Sequence, residues 1–260
     1  MAVAAEGRAG AGAAPSLDEV RALARDHNLI PVSETMIDDC QTPVSAFLKL
    51  RDAFPGYPSF LLESADQGRV GRYSFIGFRP RKVLRWSLGD GGDPYQLAAE
   101  ELGGFTPAQL PGLPPFAGGA VGVFAYDLVR SVEPLGDPNP DPIGVPDLAL
   151  MITDALVVFD HLKHTVTVIA NVYTDDDDLE SSYRQALELI SEVRWHLAGP
   201  VPTRPLAHHR VPPTFESNMT RERFEAIVAR IIEYIYAGDA FQVVPSQRWS
   251  APVPVGAFSI

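Results

Sequence analysis

Cysteine is all but missing from this chain of 260 residues. Cys40 stands alone, which excludes an intramolecular disulfide and any thiolate metal cluster. Its plain role is that of a small apolar residue ahead of a helix. Basic residues are scarce beside acidic ones: 21 Lys and Arg face 33 Asp and Glu, a net charge of -12 with a pI near 4.9. That balance leaves no basic patch for phosphates, so neither nucleic acid nor an anionic membrane is expected as a partner. An anionic small ligand would have to be held by local donors against the field of the whole chain. Long apolar runs are also missing, and none approaches the ~20 residues that a bilayer crossing takes. The opening residues are rich in Ala and Gly without the apolar block of a secretory signal. We expect a cytoplasmic protein whose residues 1–15 form a disordered tail.

What is present suffices for a packed core. Hydrophobic residues make up 46% of the chain, and the length suits one large or two small domains. Ser16 and Glu19 form a capping box opening a short helix. Residues 29–33 follow as an edge strand, because Pro31 cannot donate to a ladder. Thr42 with Pro43 starts a helix whose stripe is Val44, Phe47, Leu48 and Phe54. Residues 81–88 read as a strand and 94–102 as a helix beginning at proline. The Gly- and Pro-rich stretch 103–115 is an irregular surface connection.

Two long strands, 148–160 and 165–173, form a hairpin around His161 and His164. Those histidines invite a metal reading, but no third ligand lies nearby and a polar turn accounts for them. The acidic run 175–178 sits at the start of a helix reaching Leu197, where the helix dipole favours it without calcium. Residues 199–217 contain Pro200, Pro202, Pro205, Pro212 and Pro213 and read as an interdomain linker. A helix capped by Thr220 and ended by Gly238 carries the stripe Phe224, Ile227, Val228, Ile231, Ile232 and Ile235. With that face unpartnered we expect it to dock on the first domain or to aggregate. Strand-type alternation over 240–251 sets Phe241, Val243, Gln247 and Trp249 against Gln242, Val244, Ser246, Arg248 and Ser250. The fold class is α+β: antiparallel sheets flanked by helices, without the strand-helix alternation of a parallel sheet.

Three stretches carry more than structure. Phe60, Leu61 and Leu62 form an apolar strand that Glu63 and Ser64 interrupt where it leaves the core. After a polar turn containing Gly68 and Gly71, a second strand runs from Arg72 through Ile76, and the two read as one hairpin. On its own a Glu-Ser pair at a strand end also suits a turn or helix cap. The second stretch, 118–127, has Gly118, Gly119 and Gly122 in a spacing like that of a phosphate-cradling loop. Prolines precede it and the glycines lie inside an apolar strand, so close backbone approach explains them better. The third is 237–248.

Taken together, Leu61, Leu62, Glu63 and Ser64 followed by Gly71 to Gly77, then 118–127, then 237–248, resemble anthranilate synthase component I over residues 26–260. The resemblance implies an enzyme that converts chorismate and ammonia to anthranilate and pyruvate, the first step of tryptophan biosynthesis. Ammonia would come from glutamine through a partner amidotransferase (component II), Mg2+ would assist, and L-tryptophan would inhibit.

It implies a regulatory, tryptophan-binding domain at 16–198 and the start of the chorismate-binding catalytic domain at 218–260. The chain is thus expected to be truncated before most of that domain, to be inactive alone, and to hold no catalytic or metal residue. Ser64 is the expected main tryptophan contact, Glu63 a charge partner for the ammonium, and Arg72 a third contact. Gln242, Ser246, Gln247 and Arg248 would support the active-site wall. The paired carboxylates Glu100 with Glu101 and Glu222 with Glu225 are read as solvated helix faces. Two alternatives stay open: 4-amino-4-deoxychorismate synthase component I, and a non-catalytic module that senses tryptophan or docks an amidotransferase.

Overall fold

Apolar strands buried on both faces form the centre of the unit that spans residues 1–202, and helices cover one side of them. The computed structural model describes residues 13–64, 70–138, 140–175, 178–202, 213–253, 256 and 258. Most of the tail, the turn 65–69, part of the acidic run and the middle of the proline-rich stretch 199–217 lie outside the described residues. The chain divides into two units, 1–202 and 203–260.

In the first unit, helix α1 (Leu17–Leu23) leads into β1 (Leu29–Ile37), α2 (Pro43–Ala53), β2 (Phe60–Leu62), β3 (Tyr73–Phe78) and β4 (Lys82–Trp86). Then come α3 (Pro94–Gly103), β5 (Ala120–Phe124), a 3-10 segment Tyr126–Ser131, β6 (Leu148–Ile152), β7 (Ala155–Asp160), β8 (Thr165–Tyr173) and α4 (Leu179–Ala198). Local chemistry starts each helix. Glu19 accepts from the Ser16 amide at 2.8 Å and hydroxyl at 2.7 Å, and these bonds, the amide first, hold its carboxyl below the usual range. The Ser45 amide donates to Thr42 Oγ1 at 3.1 Å, and the Glu180 amide donates to Asp178 Oδ1 at 3.1 Å.

A five-stranded antiparallel sheet runs in the order β1-β8-β7-β3-β2, and a three-stranded one in the order β4-β6-β5. Helices α1, α2 and α4 pack on one face of the larger sheet around Phe47, Leu50, Ile76, Val168 and Ile190. Its other face buries Leu156, Val158 and Ile169 beneath Phe75, Leu113 and Phe116. The edge strand β1 is partly covered: Ala14, placed by the sequence in the tail, exchanges two backbone hydrogen bonds with Ser33, and the Ala108 amide donates to the Leu29 carbonyl.

Two strand assignments need correction. Residues 148–160 are not one strand. β6 belongs to the small sheet with alternate burial, and β7 belongs to the large sheet and is buried throughout. The chain crosses between sheets at Thr153 and Asp154, where Thr153 donates twice to the Gly119 carbonyl, from its amide at 2.8 Å and its hydroxyl at 3.0 Å. Both halves are apolar, so composition alone conceals the break. Residues 240–251 are likewise not one strand. In the second unit only β10 (Trp249–Ser250) pairs, with β9 (Glu216–Ser217), because a ladder requires a partner and 240–248 find none among the described residues. Between β9 and β10 lies α5 (Arg221–Ala237), ended by Gly238 in the left-handed conformation at φ 84°. No residue of α5 is buried; Phe224, Ile227, Val228 and Ile231 are half-buried.

Candidate functional site

The β2–β3 hairpin depends on a glycine. Phe60 pairs with Gly77, and a Cβ at Gly77 would overlap the Phe60 ring in its present position, so a larger residue there would force the ring to move. The ladder ends at Leu62 opposite Phe75, and Glu63 and Ser64 follow, both exposed. Arg72 lies in a 3-10 turn, Val70–Arg72, and not in the strand as the alternation suggests; β3 begins one residue later. Continuing the register would set Ser64 across from Tyr73, beside Arg72.

Arg72 is held firmly. Its Nε donates to Asp160 Oδ1 at 3.0 Å and its Nη2 to Oδ2 at 2.7 Å, and its guanidinium stacks 4.8 Å above the Tyr73 ring. Asp160 closes β7 and also accepts from the Leu162 and Lys163 amides at 3.1 and 3.2 Å. Burial pushes the Asp160 carboxyl up, but the hydrogen bonds from Arg72, Lys163 and Leu162, with the charge of Arg72, outweigh that and hold it below the usual range. The same bond raises Arg72 further. Next to the pair, the His161 amide donates to the Arg72 carbonyl at 2.9 Å, and His161 Nε2 lies 2.8 Å from the buried Ser74 hydroxyl. The two turn histidines thus have separate partners, since His164 Nδ1 lies 3.5 Å from Asp39 Oδ1.

Past the end of β2 the chain thus has an exposed carboxylate and hydroxyl, and just before β3 it has an oriented guanidinium. As chemical types in this set, a carboxylate can accept from an ammonium, a guanidinium can donate to a carboxylate, and a hydroxyl can do either. Asp160, Ser74 and His161 were not legible as parts of it. Asp160 is 88 residues from Arg72 in sequence, and its only signal is a carboxylate closing an apolar strand.

The other sequence-singled residues lie in the second unit. Gln247 donates through Nε2 to Ser217 Oγ at 2.7 Å, and the Arg248 amide donates to Asn218 Oδ1 at 3.0 Å; Gln242 and Ser246 are exposed. In the first unit, Gly122 behaves as read: its Cβ would overlap the Ala149 carbonyl of the neighbouring strand. A groove of about 430 Å³ runs along the β1 edge past Leu29, Phe105, Leu113, Gly118 and Tyr173, and its lining excludes Glu63, Ser64 and Arg72. Among the described residues no three His, Cys, Asp or Glu converge as a metal would require, and no helix is long and apolar enough to cross a membrane.

A family model described as chorismate binding enzyme matches residues 57–260, which include both the hairpin and α5. The chain belongs to this family. Among curated relatives, anthranilate synthase component 1 of Pseudomonas aeruginosa is 41% identical over 252 residues, 89% of this chain and 50% of that protein. The same component of Mycobacterium tuberculosis is 35% identical over 268 residues, 95% of this chain and 52% of that protein. A crystal structure of anthranilate synthase component I from Streptococcus pneumoniae superimposes with a TM-score of 0.61 at 26% identity, covering 86% of this chain and 50% of that one. The chain thus spans about half the length of the curated relatives it matches. Its α+β architecture of antiparallel sheets flanked by helices is that of a chorismate binding enzyme.

Proposed function

We propose that this chain is the end-product-sensing portion of an anthranilate synthase large component, with L-tryptophan bound at the Glu63–Ser64 end of the β2–β3 hairpin. The observation that carries the reading is the exposed Glu63 and Ser64 directly after β2, with an Arg72 locked by Asp160 directly before the paired strand β3. A free amino acid offers one ammonium and one carboxylate, and the hairpin offers a partner for each. Relatives named anthranilate synthase component 1 support the pathway, and the acidic chain makes local donors necessary for any anion.

In the complete enzyme, ammonia delivered from glutamine by a component II subunit adds to the chorismate ring. The ring hydroxyl leaves as water, and the enolpyruvyl group departs as pyruvate, leaving anthranilate. Magnesium would assist loss of the hydroxyl. The described residues do not fit such an ion, so no step in this chain is assigned to it. Gln242, Ser246, Gln247 and Arg248 would support the wall of the chorismate site without touching reacting atoms.

The test is anthranilate formation by a large component carrying this chain, followed by fluorescence against rising L-tryptophan. Ser64→Phe should raise the half-inhibition concentration at least tenfold and leave turnover within about twofold, a coupling loss of ~1.4 kcal/mol. An unchanged half-inhibition concentration removes Ser64 from the effector site.

A further inference from the structure

We infer that Asp160 is a positioning residue for the carboxylate of the bound amino acid, acting through Arg72. This deepens, and rests on, the effector reading above.

Three features support it. First, Arg72 is fixed on two sides, by the two-pronged bond to Asp160 and by the Tyr73 ring at 4.8 Å. Asp160 takes one N–H each of Nε and Nη2, and among the described residues the N–H groups of Nη1 meet no hydrogen-bond partner, so Nη1 can serve a ligand. Second, Asp160 is itself immobilised. The Leu162 and Lys163 amides both donate to Oδ1, and the side chain is only 11% exposed. Third, the end of β7 is tied to the Arg72 backbone by the bond from the His161 amide to the Arg72 carbonyl. Main chain and side chain of Arg72 are thus anchored to one strand end, that of β7.

An arginine free to rotate must be ordered when it meets a carboxylate, and that ordering lowers affinity. An arginine already held by a buried carboxylate does not lose that freedom again. The arrangement also makes a chemical selection. A guanidinium held in one plane prefers a planar carboxylate to a neutral ester or to no group at all, so the site should discriminate at the α-carboxylate and not only at the side chain. Asp160 does not touch the ligand, and its effect passes through Arg72.

Calorimetric titration of the protein with L-tryptophan and with tryptamine, which lacks the carboxylate, tests this. The intact protein should bind L-tryptophan at least tenfold more tightly than tryptamine. Asp160→Asn should weaken L-tryptophan about five- to tenfold and leave tryptamine within twofold, so that selectivity collapses. In an Arg72→Ala background the further change Asp160→Asn should have no additional effect, because the residue it acts through is gone. Circular dichroism melting identifies any variant that has lost its fold, and Asp160→Glu, which keeps the charge, should recover part of the selectivity.

The inference is overturned if Asp160→Asn weakens both ligands equally, or costs the same with Arg72 already removed. It is overturned alone if Ser64→Phe abolishes L-tryptophan binding and Asp160→Asn changes nothing. If Ser64→Phe also changes nothing, or the intact protein does not bind L-tryptophan, the effector reading falls and this inference with it.

Discussion

Asp160 carries four hydrogen bonds on one carboxylate, two from a guanidinium and two from backbone amides. All four are stronger to the ionised form, which is why the group titrates low in spite of its burial. The consequence for stability has a definite sign. A carboxyl whose folded pKa lies below its unfolded value, near ~3.9, stabilises fully above that pH and loses the contribution as pH falls through the folded value. Denaturant unfolding from pH 6 downward should show the intact chain losing stability below about pH 4 more steeply than Asp160→Asn. Parallel curves would contradict the assignment.

Lys49 presents the opposite charge under similar confinement. It is 9% exposed, and its Nζ donates to the Leu197 carbonyl at 2.6 Å and to Gln41 Oε1 at 2.9 Å. An ammonium on the last turn of α4 satisfies a carbonyl that the helix cannot, at the end where the dipole is negative. Lys49→Met keeps the length but leaves two acceptors unpaired, and should lower unfolding stability by about 1–3 kcal/mol by denaturant titration. Neither pairing is legible from sequence, because a charge partner distant in the chain leaves no periodic trace. Ser16, Thr42 and Thr220 are legible because capping is settled within three residues.

At the scale of the element, period and chain punctuation decide what can be read. Helices α1 to α5 announce themselves through a cap, a stripe and a stop, and the β2–β3 hairpin through an apolar run broken by polar residues. The 148–160 run misleads for a physical reason. β6 has one buried face and β7 has two, yet both are written in the same apolar alphabet, and the sheet change rests on the two residues Thr153 and Asp154. Residues 240–251 mislead in the reverse direction: alternation makes a strand available, but pairing makes it a strand, and only Trp249 and Ser250 pair.

Glycines inside strands were readable as close approaches, and Gly122 is one against backbone. Gly122→Ala should cost ~3 kcal/mol or more, since the Ala149 carbonyl opposite cannot swing aside as a side chain can. Gly77→Ala meets the Phe60 ring instead, which can turn. Its cost should be smaller, and it should appear in the hairpin and weaken L-tryptophan binding. Thermal melts of the two variants check the order, and a larger loss at Gly77 than at Gly122 would contradict it.

Across the whole molecule, burial is distributed unevenly between the two units. The first contains the described buried core, from Val20 to Leu197. In the second, α5 has no buried residue, and Ile232 and Ile235 remain 47% and 39% exposed. Amide protection follows buried hydrogen-bonded structure, so β7 and β8 should exchange slowest and α5 far sooner. Hydrogen exchange read by mass spectrometry checks this at the peptide level; equal protection of α5 and β8 would mean that the helix is covered in solution.

Where the amino acid binds decides whether the β2–β3 hairpin is an effector site. Nitrogen-15 NMR of the chain titrated with L-tryptophan tests that most directly. Shifts concentrated at Leu62, Glu63, Ser64, Arg72, Tyr73, Asp160 and His161 are the predicted result. Shifts confined to the groove beside Leu29, Phe105 and Tyr173, or no shifts at all, would contradict it.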